Sequence, residues 1–189
     1  MPNNPHWFLL LAASAIILVA AITDLRTRRI PNVLTLPAIP VGFVLSYILE
    51  GSTGLLASVV GLVLALVIYL PLYALRAMGA GDGKLMAAVS TFIGWSMWLH
   101  LFFAASLLGG VVAVVFTMAK GQFRHTLQRS VLVLRSLASF QSPASVDETL
   151  DFRSNKSLSL PHGSVIALAW MALLVAWDQF GFRLFELSK

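Results

Sequence analysis

The chain has 189 residues, of which 58% are hydrophobic and 11% charged, with a formal net charge of +5. Soluble domains carry about 25% charged residues, so this composition belongs to the membrane class and excludes an ordinary soluble enzyme. The absence of cysteine excludes disulfides, thiolate catalysis and cysteine-based zinc or iron–sulfur centres.

Trp7 to Ile22 is an unbroken apolar run, closed by Asp24-Leu25-Arg26-Thr27-Arg28-Arg29. No Lys or Arg precedes it and the basic cluster follows it, the reverse of a secretory signal, so it reads as an uncleaved first span with its N-terminus outside. Pro31 forces a turn, and Leu34 to Leu49 supplies a second span with Pro37 and Pro40 early, where prolines are best tolerated. Glu50-Gly51-Ser52-Thr53 is a short outer loop, and Gly54 to Leu75 is a third span with Pro71 near its end, stopped by Arg76. Met78-Gly79-Ala80-Gly81-Asp82-Gly83-Lys84 is too glycine-rich to continue a helix comfortably.

Leu85 to Trp98 makes a short fourth span. The chain turns around Trp95 to His100, where tryptophan suits an interfacial belt, and Leu99 to Met118 returns as a fifth. The only long polar stretch follows. Within it Phe123, Leu127, Val131, Leu134 and Ala138 recur at helical spacing, as suits a helix on anionic headgroups or, equally, a plain connector. Gly163 to Trp177 forms a sixth span. At about 20 residues per crossing, the expected fold is all-α. It is a polytopic membrane bundle of about six helices in one domain over 1–189, with a cytoplasmic loop or surface helix at about 120–160.

Orientation follows from the basic residues. Eleven Lys and Arg fall in the inner loops, from Arg26 to Lys156, against only Arg183 and Lys189 outside. The active side of a multi-pass protein of the inner membrane is thereby cytoplasmic, and the basic pI needs no nucleic acid to explain it.

Of the eight carboxylates, Asp147, Glu148 and Asp151 lie in the inner loop, Glu50 lies outside, and Asp178 and Glu186 sit near the C-terminal end. Only Asp24 and Asp82 abut apolar runs on the cytoplasmic side. Carboxylates near hydrocarbon are costly and face a bundle interior or a wet cavity, so two at one depth can converge. Converging aspartates cannot both ionise; one keeps a proton while the other stays anionic. The anion can draw a proton from water attacking a peptide carbonyl, and the protonated partner can polarise that carbonyl. This chemistry needs no metal, cofactor, thiol or histidine. Gly79, Gly81 and Gly83 permit positive φ and close approach of a substrate backbone.

Each aspartate also has an ordinary explanation. Asp82 can cap the fourth helix, and Asp24 can pair with Arg26 or Arg28 at a helix end. Ser96 and His100 are four apart but lack a third partner, no HExxH occurs, and His6, His125 and His162 read as interfacial polar residues. Gly61 and Gly109-Gly110 read as close helix contacts. A small proton- or cation-coupled transporter using the same carboxylates is the alternative class. Against it stand the boundary position of both aspartates and the lack of a visible internal duplication.

Asp24-Leu25-Arg26-Thr27-Arg28-Arg29-Ile30-Pro31-Asn32 resembles the first aspartate motif of the type IV prepilin peptidases. Gly79-Ala80-Gly81-Asp82-Gly83-Lys84-Leu85 resembles their second, the GxGD motif, and Leu160-Pro161-His162-Gly163 is similar to a Pro-aromatic-Gly element, with histidine for tyrosine. The resemblance implies a membrane aspartyl endopeptidase that removes the basic leader of prepilin, pseudopilin or preflagellin-like precursors at the cytoplasmic face. Asp24 and Asp82 would be its catalytic pair. Gly79, Gly81, Gly83 and Lys84 would position substrate or backbone. Lys84 lies two residues from Asp82 and off its helix face, so its side chain is expected to snorkel toward headgroups. Lacking the CxxC-bearing segment of many relatives, the chain resembles the short branch of Flp/Tad and archaeal preflagellin peptidases, and no methyltransferase activity is expected.

Overall fold

A computed structural model describes residues 6–74, 78–119 and 162–180, and every regular element among them is helical. The polar stretch at about 120–160, with its expected surface helix, lies outside the described residues. Helix α1 spans His6–Thr27, α2 Asn32–Ala74, α3 Ala80–Ala119 and α4 His162–Phe180. The first three contain stretches long and apolar enough to cross a membrane, and α4 carries a shorter apolar one, His162–Ala176.

Both long helices double back. In α2 the helical dihedrals fail at Gly51 (φ 69°, ψ −150°). Ser46 and Ser58, twelve positions apart, would lie about 18 Å apart along a straight helix. Yet both hydroxyls donate to one oxygen, the Thr91 carbonyl, at 2.9 and 2.7 Å. In α3 the break is Gly94 (φ 69°, ψ 173°), and across it the Trp98 indole donates to the Met86 carbonyl at 3.0 Å. A left-handed φ is open to glycine without a Cβ penalty, which puts the second reversal at Gly94, just before the expected Trp95 to His100. The two reversals share one end of the bundle, where Glu50, Gly54, Gly94 and Trp95 line a common cleft. His6, at the start of α1, pairs there with Glu50.

Burial follows a small-residue code. The inward face of α2 reads Thr35, Ala38, Gly42, Ser46 and then Gly54, Ser58, Gly61, Ala65, Tyr69, at intervals of three or four. Large apolar side chains such as Val33, Ile48, Leu56 and Val67 point outward. In lipid, close packing of small residues, not expulsion of large ones from water, brings helices together. The first leg of α3 is buried from Leu85 through Ile93 without a gap. A helix covered on every face is the bundle's central element. The residues at its N-terminus are therefore held at the middle of one end.

Candidate active site

Asp24 belongs to the buried stripe of α1 that runs Ala13, Ile17, Ala20, Asp24. The 3.6-residue period thus carries the carboxylate inward with the core residues, and it is only 7% exposed. Helix α1 ends just beyond it. The Arg28 amide donates to the Asp24 carbonyl at 2.8 Å, and Arg28 takes a left-handed φ of 51°, a common way to finish a helix.

Asp82 stands in the first turn of α3. That helix begins at Ala80, not at Leu85 as the glycines suggested. First-turn amides have no intrahelical partners in any case, and the glycines serve by what they lack. A Cβ on Gly81 would lie 3.3 Å from the Ile30 side chain, and one on Gly83 would lie 3.2 Å from Tyr69 Cβ. Gly79 faces Asp82 itself, with Oδ2 at 3.4 Å from the Cβ position. None of the three uses the positive φ that glycine permits; among the described glycines that backbone occurs at Gly51 and Gly94.

The two aspartates, 58 positions apart in sequence, come to the same end of the bundle, close enough for their charges to act on each other. His162 is within the same electrostatic reach of Asp82. Its ring also packs on Gly109, with Cε1 at 3.5 Å from the Cβ position there. To its reading as an interfacial polar residue the structure adds these two neighbours. Gly163, the next residue, donates its amide to Asp24 Oδ2 at 2.8 Å in a buried hydrogen bond. Gly109 and Gly61 do make close helix contacts, whereas Gly110 has nothing within 4 Å of its Cβ position.

Three further residues complete the surroundings. Lys84 Nζ donates to Asn32 Oδ1 at 2.9 Å, tying α3 to the start of α2, where snorkelling to headgroups was expected. Ile30 fills the space beside Gly81. Tyr69, within charge range of Asp82, caps an aromatic cluster with Trp98 and Phe102, at centroid distances of 6.4 and 6.0 Å. Asn32 and Ile30 lie inside the first motif and carried a signal of that kind. Tyr69 gave none beyond helical spacing in an apolar run.

A helical bundle of the membrane type, with two carboxylates at one end within range of each other's charge, is the class this fold and site define. Residues 11–114, which include both aspartates, match the type IV leader peptidase family, and the chain belongs to that family. Among curated proteins it is similar to a "Prepilin leader peptidase/N-methyltransferase" of Neisseria gonorrhoeae. The identity is 33% over 120 residues, 59% of this chain and 41% of the relative. Proteins of the same description from Xanthomonas campestris and Pectobacterium carotovorum are 33% and 32% identical, over 54% and 61% of this chain and 38% and 43% of theirs. The chain thus aligns with about two-fifths of the length of these relatives. No solved structure matches it.

Proposed function

We propose that this chain is a membrane aspartyl endopeptidase that removes the basic leader from prepilin-like precursors, with Asp24 and Asp82 as the pair that activates water. The observation that carries the reading is their convergence at one end of the bundle, inside the region that matches the leader peptidase family. Gly79 leaves the space beside Asp82 free of a Cβ, while Gly81 and Gly83 position the backbone of the same turn against Ile30 and Tyr69. Lys84 positions the GxGD turn through Asn32. The substrate's apolar helix lies in the bilayer beside the outward Val, Leu and Ile side chains.

In this reading one domain crosses the inner membrane six times, each leg of α2 and α3 counting as a crossing, with the N-terminus outside and the dyad on the cytoplasmic side. The basic residues around Asp24, namely Arg26, Arg28 and Arg29, support that orientation. Cysteine-free, this chain cuts its precursor without methylating the new N-terminus.

The test is co-reconstitution with a prepilin-like precursor in liposomes. Asp24→Asn and Asp82→Asn should each lower the cleavage rate by about a hundredfold or more, since general acid–base groups supply roughly 10²–10⁴ in rate. Full cleavage by both variants would sink the proposal, and ion flux lost with Asp82→Asn in the absence of proteolysis would replace it with a transporter. Mass spectrometry of the product should find an unmethylated N-terminus even with a methyl donor present.

A further inference from the structure

We propose that Gly163 is a positioning residue that divides the labour of the pair. Its amide holds Asp24 Oδ2, so Asp24 is the carboxylate that takes a proton from water and Asp82 is the acid that protonates the scissile carbonyl. The inference rests on the peptidase reading above and deepens it.

A backbone N–H can only donate. Asp24 Oδ2, 2.8 Å from the Gly163 nitrogen, must therefore present a lone pair, and any proton on this carboxyl is confined to its other oxygen. The amide is the second of α4, one of the first-turn donors that have no carbonyl partner within their own helix. The positive end of that helix's dipole favours an anion beside it. With Asp24 only 7% exposed, this amide takes the place of water as partner to the charge, and hydrogen bonds to the ionised form favour it.

Any side chain at position 163 would crowd this contact. A Cβ there would lie 3.0 Å from Asp24 Oδ2, 3.1 Å from its Cβ and 3.3 Å from its Cγ. The residue before it, His162, stands within charge range of Asp82, and the Gly163 amide, given to Asp24, is what sets the two carboxylates apart. That asymmetry is what a dyad sharing one proton requires if its members are to have fixed roles.

The hydrolysis then balances. The water oxygen bonds to the carbonyl carbon as one water proton passes to Asp24 and the proton of Asp82 passes to the carbonyl oxygen. On collapse a hydroxyl proton returns to Asp82, the C–N bond breaks, and the proton held by Asp24 goes to the leaving amine. The pair ends as it began.

An amide-to-ester exchange at position 163, made by semisynthesis in the full chain, removes the N–H and adds no atoms. With a prepilin-like precursor in liposomes, kcat should fall about ten- to hundredfold, as for loss of a hydrogen bond to a charged group, while KM stays within about twofold. In chain labelled with ¹³C-aspartate, the Asp24 carboxylate stretch, isolated by subtracting the spectrum of Asp24→Asn, should shift in the ester chain. Gly163→Ala, which keeps the donor but crowds the carboxylate, should lose kcat as well. An ester chain that cleaves at the unmodified rate, or whose Asp24 band stays in place, would overturn the assignment. An unmodified chain inert toward the precursor would instead defeat the peptidase reading, a result distinct from either of those.

Discussion

Asp24 is buried because it continues a stripe of Ala13, Ile17 and Ala20. A carboxylate so placed owes its orientation to the helix period and its tolerance to the Gly163 amide. The same economy of side chain recurs where helices cross. A Cβ on Gly42 would come 2.0 Å from Thr91 Oγ1 and 2.7 Å from Thr91 Cβ. Thr91 cannot simply rotate away, since its hydroxyl already donates to the Ala88 carbonyl at 2.7 Å. Gly42→Ala should therefore force α2 from α3 and lower stability by about 1–3 kcal/mol, the usual cost of overpacking, read as a lower melting temperature in detergent. Unchanged melting would show that the helices have room the packing denies. At this scale the sequence was legible for the aspartates and mute for their partners. Asp24 and Asp82 stand out as carboxylates against apolar runs. The neighbours of His162 were not legible, because Gly109, on which it packs, and Asp82, within its charge range, lie 53 and 80 positions away.

The elements were legible in kind and less so in their limits. The reversal expected across Glu50 to Thr53 falls at Gly51, where a glycine flanked by polar residues announces itself. The next reversal was expected among tryptophans, whose interfacial habit is real, but the backbone turns at Gly94, where a left-handed φ costs least. Helix α3 starts earlier than a count of glycines suggests, because tight packing on Ile30 and Tyr69 outweighs glycine's poor helix propensity. The α2 hairpin is fastened by Ser46 and Ser58 on the Thr91 carbonyl, which lies three residues before the Gly94 break, where intrahelical partners run out. One serine can serve that oxygen in the absence of the other. Ser46→Ala or Ser58→Ala alone should cost about 0.5–1.5 kcal/mol each. The double variant should cost more than their sum, since it leaves the carbonyl buried without side-chain partners. Strict additivity in a double-mutant cycle would mean that the two bonds act independently.

For the whole molecule, composition settled the class and charge distribution framed the orientation, while the convergence of three chain segments on one end depends on contacts that no local pattern records. The absence of cysteine makes that orientation directly measurable. Ser52→Cys, beside the Gly51 reversal, should react in intact cells with a maleimide that cannot cross the inner membrane. Thr27→Cys, three residues beyond Asp24, should react only after that membrane is permeabilised. The opposite pattern would invert the topology.

The hydrogen bond from Gly163 to Asp24 joins residues 139 positions apart, and this separation sets an order of events during synthesis. At roughly 5–20 residues per second, Asp24 leaves the ribosome some 7–28 seconds before the amide that completes its surroundings. Until α4 enters the membrane the carboxylate sits at the rim of an unfinished bundle, without its donor. In the proposed reading activity is thereby coupled to the arrival of α4: a nascent or truncated chain carries both aspartates and still lacks the donor that Gly163 gives to Asp24.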